Sequence, residues 1–117
     1  MKKFASTIFA FTLLFSMVAD VQSEVLIEDY LKLKDTKQIE MYLQGYLDGL
    51  KWANGLLRNT QRTALFCEPD KLSLNVSNLK QIVDVHYEKK SWQYQAQKEI
   101  YFGTVGLFAL AEAFPCK

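Results

Sequence analysis

From Ile39 onward, apolar residues return at steps of four, three, four, three and four: Ile39, Leu43, Tyr46, Leu50, Ala53 and Leu57. That is the α-helical repeat, and it lays one continuous apolar stripe along a helix. Glu40, Gln44, Asp48, Lys51 and Arg58 fall on the other side. Asp35 stands three residues before Gln38, a capping-box spacing, so the pattern predicts a helix from about Thr36 to Asn59. A second stripe, Tyr42, Gly45, Gly49, Trp52 and Leu56, lies about 100° round from the first. Each helical glycine costs about 1 kcal/mol against alanine. Two glycines four residues apart share a face, so Gly45 and Gly49 are expected to permit close approach of another backbone. That backbone belongs to a helix of the same chain or to a second subunit.

Before this helix, residues 24–33 carry Leu26, Ile27, Tyr30, Leu31 and Leu33, enough for one or two helical turns. After it, Asn59 to Asp70 reads as a connection that Pro69 keeps from continuing as helix. Leu72, Leu74 and Val76 alternate with polar residues and predict a short extended piece. Asn75 or Ser77 caps the next helix, whose apolar face is Val76, Leu79, Ile82, Val83 and His86. Asn75-Val76-Ser77 also spells a glycosylation triplet, a weak three-residue pattern. His86 is in phase with the apolar face, so it is expected to be half-buried with one hydrogen-bonded nitrogen. Its functional alternatives are a pH-sensitive interface or a lone metal ligand.

The stretch from Glu88 to Gln97 shows no apolar period and reads as a polar connection, yet it holds Trp92 and Tyr94. Such rings either pin a loop to the core or await a partner. Glu88, Lys89, Lys90, Trp92 and Tyr94 are therefore the candidate partner contacts. The last helix is expected from about Lys98 to Phe114. From Phe102 to Phe114 only Thr104 and Glu112 are polar, which predicts the most buried element. Pro115 stops it.

Residues 1–23 have a different character. Lys2 and Lys3 precede an apolar stretch from Phe4 to Ala19, and small residues follow near Val21-Gln22-Ser23. This is the three-part layout of a secretory signal peptide. The apolar run is shorter than the roughly 18 to 20 residues that span a bilayer, so cleavage near Glu24 is expected rather than an anchor. Export places the remainder in an oxidising compartment, where Cys67 and Cys116, the only cysteines, can form one staple. The alternative is a nucleophilic Cys67 assisted by His86, which needs a free thiolate beside a base. The expected domain, residues 24–117, is all-α: a small disulfide-tied bundle of three main helices plus a short N-terminal helix.

The full chain has 117 residues, with 14 Lys+Arg against 13 Asp+Glu and a net charge of +1. Removing the leader takes away two lysines and one aspartate and leaves no net charge. No basic run exceeds Lys89-Lys90, which argues against nucleic acid or an anionic membrane as partner. Two cysteines and one histidine are too few for a structural zinc site. No nucleophile elbow, metalloprotease motif, phosphate-cradling loop or Cys-x-x-Cys pair is present, and nothing implies a cofactor. A small exported chain without catalytic groups is most economically a binding protein.

The order Gly45-Tyr46-Leu47-Asp48-Gly49, then Phe66-Cys67-Glu68-Pro69, a helix around Leu79 to Val83, and Val105 to Ala113 before Phe114-Pro115-Cys116 resembles the Rap/Tai immunity proteins of type VI secretion. The similarity covers most of residues 38–116, and the Cys-x-Pro element and the end from Ala109 to Cys116 carry it best. The resemblance implies a small periplasmic helical protein, with Cys67 paired to Cys116, that binds a secreted peptidoglycan-degrading cysteine amidase and blocks its groove, often as a dimer. The segment between Pro69 and Leu79 and that from Glu88 to Gln97 are particular to this chain. Two other classes remain open: an acid-activated periplasmic chaperone of the HdeA type, and a non-catalytic assembly factor of the cell envelope.

Overall fold

A computed structural model describes residues 24–117, and the signal segment expected over residues 1–23 lies outside them. The described chain is all-helical, with α1 (Ile27–Leu33), α2 (Lys37–Asn59), α3 (Val76–Gln95) and α4 (Phe102–Ala113). α4 packs chiefly on α3, α2 lies against α3, and α1 lies against α4. The backbone just before α1 pairs with the backbone just before α4: Ile27 N–H donates to Ile100 O at 2.9 Å and Phe102 N–H to Val25 O at 2.7 Å. That two-rung bridge holds the chain entry beside the last helix.

The helix ends follow from local chemistry. Thr36, not Asp35, caps α2; its side chain accepts the Ile39 N–H, one residue later than the sequence spacing suggested. Asn75 caps α3, and a reciprocal bond between Asn78 and the Asn75 backbone completes a capping box. α2 ends with Arg62 N–H on Leu57 O and Gln61 N–H on Arg58 O, a Schellman pair. It places Gln61 at φ 59°, a left-handed position usually given to glycine.

Ile39, Leu43 and Leu47 are buried on α2 together with Asn54, so the buried face is rotated slightly from the sequence stripe toward Leu47. Phe102 is the hub of the core. It is fully enclosed, with the rings of Tyr30, Tyr46 and Tyr42 centred 4.7, 5.3 and 6.1 Å away. Enclosing such a ring contributes about 2–3 kcal/mol, and each well-placed aromatic pair about 1 kcal/mol more. Tyr46 donates to Gly103 O at 2.7 Å, and a Cβ on Gly106 would come 2.8 Å from the same hydroxyl, so a side chain there must displace the Tyr46 ring. Burial pushes the Tyr30 and Tyr46 hydroxyls well above the ordinary tyrosine value.

Cys67 and Cys116 are disulfide-bonded with Cα atoms 5.0 Å apart, which removes the reading of Cys67 as a nucleophile. Beside the bond, Cys67 N–H donates to Phe114 O at 2.7 Å. Asn54, buried on α2, donates to Phe66 O at 3.1 Å and accepts from Leu65 N–H at 2.8 Å. Both the nitrogen and the oxygen of this buried amide thus hold the connection after α2.

Three expectations are corrected. Among the described residues no atom of a neighbouring element lies within 4 Å of a Cβ built on Gly45 or Gly49, so none of the described helices approaches them. They share an open side of α2 with the exposed Met41, Trp52 and Leu56. The segment before α3 is non-helical, with Asn75 extended (φ −124°, ψ 177°); Leu74 is buried, Leu72 is exposed, and Val76 opens α3. α4 starts at Phe102 rather than Lys98 and is buried on one side only, since Thr104, Phe108 and Glu112 face out. The stretch from Glu88 to Gln95 is helix, because α3 runs through it with a break at Lys90 (φ −118°, ψ 17°).

Candidate functional site

The break at Lys90 decides what the end of α3 does. In a straight helix, residues eight apart are separated by about 12 Å along the axis. The bend brings the Tyr94 hydroxyl back to 2.6 Å from His86 Nε2. Tyr94 is only 8 % exposed, and its ring stacks on Tyr87 with centroids 5.8 Å apart. Of the two candidate partner residues, Tyr94 is therefore part of the core. Trp92 stands the other way, 70 % exposed.

His86 is 5 % exposed and lies between Tyr94 of its own helix and Glu112 of α4. Burial, with the nearby Glu112 carboxylate adding to it, pushes the Tyr94 hydroxyl above its usual range. Tyr94 Oη and His86 Nε2 share one hydrogen bond, whose direction follows the tautomer of the imidazole. The other ring nitrogen, Nδ1, lies 3.2 Å from Glu112 Oε2 but outside hydrogen-bonding geometry. Lys90 Nζ approaches the same carboxylate oxygen at 3.9 Å. Glu112 is the one acid of α4, and it faces outward at the rim.

Around this cluster α3 and α4 diverge and leave an open groove of about 680 Å³. One wall is Trp92, Gln93 and Gln97; the other is Thr104, Phe108 and Glu112, at helical steps of four. Phe108 is 58 % exposed. A smaller hollow of about 330 Å³ adjoins it, lined by Ile82, Val85, Lys89 and Ala109, and it shares His86 and Glu112 with the first. The sequence candidates thus divide: Trp92, Lys90 and the buried Tyr94 line the groove, Lys89 lines the hollow, and Glu88 is exposed but lines neither.

Phe108 and Glu112 were missed by sequence reading. Their signal was the single carboxylate in an otherwise apolar helix, with a large aromatic one turn before it. Among the described residues no group of three or more His, Cys, Asp or Glu could hold a metal ion, and no helix is long and apolar enough to cross a membrane. No protein-family model, curated protein or solved structure matches the chain.

Proposed function

We propose that this chain is a periplasmic immunity-type binding protein that occludes a secreted peptidoglycan-degrading amidase. The observation that carries the reading is the groove between α3 and α4, where Trp92 and Phe108 stand in solvent on a rigid, disulfide-tied scaffold. Large rings held in place lose little entropy on binding and are the side chains that dominate protein interfaces. The disulfide is compatible with an oxidising compartment. The resemblance to Rap/Tai immunity proteins supplies the class of partner, the leader over residues 1–23 supplies the compartment, and the disulfide-bonded cysteines leave no thiol for catalysis. The protein acts by binding and is not an enzyme.

A second copy of the chain, which the same resemblance implies, would use a different face. The open side of α2, with Met41, Trp52 and Leu56 around Gly45 and Gly49, offers room for a close helix crossing.

The test is capture from envelope extract at neutral pH, with the bound protein identified by mass spectrometry. The reading expects one tightly held peptidoglycan amidase. Many clients held only after acidification would replace it with the chaperone class, and structural envelope proteins without an amidase would replace it with the assembly class.

A further inference from the structure

We infer that the groove and the adjoining hollow together form one docking surface for an acidic, apolar-flanked peptide segment of a partner protein. The inference rests on the binding-protein reading above and adds the chemistry of what is bound.

The two depressions meet at the His86–Glu112 pair and expose three large apolar side chains, Val85, Trp92 and Phe108. The α3 side of the surface reaches from Ile82 to Gln97 and turns at the break at Lys90. Two adjoining depressions of about 680 and 330 Å³, rather than one enclosed cavity, suit an extended chain that places a side chain in each. The surface therefore suits a peptide that sets one apolar side chain between Trp92 and Phe108 and another over Ile82, Val85 and Ala109.

Charge fixes the polarity of that peptide. The charged side chains lining the two depressions are Lys89, Lys90 and Glu112. Glu112 is already approached by Lys90 and by His86 Nδ1. Lys90 reaches it only at 3.9 Å, so its ammonium donors remain largely uncommitted. Lys89 has no carboxylate within 4.0 Å among the described residues. The surface thus carries a net positive charge with two available ammonium groups, one beside each depression. An Asp or Glu between the two apolar anchors meets them; a Lys or Arg there is repelled. The same sign disfavours a second copy on this face, because a two-fold contact sets the lysine pair against itself. Two lysines amid apolar surface are also too few for the phosphate contacts of a nucleic acid.

The experiment is selection from a random displayed peptide library on the disulfide-intact protein, followed by affinity measurement on the best peptide. The expected winners carry Asp or Glu flanked by Leu, Ile, Phe or Trp. Exchanging the peptide's acid for lysine should weaken binding about tenfold or more, as should Lys89→Glu with Lys90→Glu, or Phe108→Ser. Lys89 and Phe108 are exposed and Lys90 is half-buried, and unchanged melts verify that the variants fold. Selection of basic or uncharged peptides, binding that the variants leave intact, or no enriched peptide at all would overturn the assignment. So would a fall in the mass of the free protein by light scattering on Phe108→Ser, which would place a second copy on this face. An amidase captured equally by wild type and groove variants would sink this surface and leave the proposed function standing. Acidic peptides selected without any amidase captured would do the reverse.

Discussion

His86 Nε2 and Tyr94 Oη meet at 2.6 Å across the break in α3 at Lys90, although eight residues separate them. This bond closes the bend that opens the groove. Tyr94→Phe keeps the stack on Tyr87 but strands the histidine nitrogen, and should cost about 1–3 kcal/mol in urea unfolding. Tyr94→Ala should cost about 3–5 kcal/mol, as for other buried aromatics. Trp92→Ala, at a solvent position, should stay within about 0.5 kcal/mol. The paired substitution of both rings therefore lowers the melt through Tyr94 alone.

Gly45 and Gly49 should respond to substitution with the opposite sign to Gly106. Gly45→Ala and Gly49→Ala place a methyl in open space and improve helix propensity, so each should stabilise by up to about 1 kcal/mol. Gly106→Ala drives a Cβ to 2.8 Å from the Tyr46 hydroxyl and should destabilise by about 1–3 kcal/mol. Urea midpoints of the three variants check this. If Gly49→Leu leaves the monomer's melt unchanged but reduces a dimeric mass, the open side of α2 is where the second copy sits.

Joining Cys67 to Cys116 closes a separation of 49 residues. In the chain-entropy picture such a bond stabilises by about 4 kcal/mol. Cys67→Ser with Cys116→Ser should lower unfolding stability by that order, and the wild type should show the same loss when a reductant is added. An equal denaturation midpoint with and without reductant would contradict it.

Alkaline pH should unfold the protein through its buried tyrosines. Tyr30 and Tyr46 titrate higher in the folded chain than in the unfolded one, mainly because burial disfavours the phenolate. The unfolded chain releases these protons first, near pH 10. Their contribution is therefore complete below about pH 10 and is lost as pH rises through the folded values. Melts at pH 8 and pH 11 should differ sharply, and Tyr46→Phe should reduce the difference.

The helical class, the disulfide and the main stripe of α2 were legible because each is a local or pairwise matter: a period, two cysteines, a cap. Ile39 and Leu43 declared their face through spacing alone. What spacing could not supply was the partner of each face. Gly45 and Gly49 lie on one side of α2 as expected, but whether anything covers that side depends on where α3 and α4 pack. The polar run from Glu88 to Gln95 hid a helix because its stability comes from tertiary burial of Tyr94 rather than from a stripe of its own. Trp92 and Tyr94 looked equivalent in sequence; the backbone break at Lys90 sends one out and the other in. The groove joins residues of two helices, Trp92 with Phe108 and His86 with Glu112, and no one-dimensional pattern connects them.

Occlusion is the central claim, and the rate at which the captured amidase cleaves peptidoglycan tests it most directly. With the purified, disulfide-bonded protein added in increasing amount, the rate should fall in proportion and reach zero at one binding site filled per enzyme. Phe108→Ser, together with Lys89→Glu and Lys90→Glu, should restore most of the activity. An amidase that binds the protein stoichiometrically yet cleaves at its full rate would contradict the account.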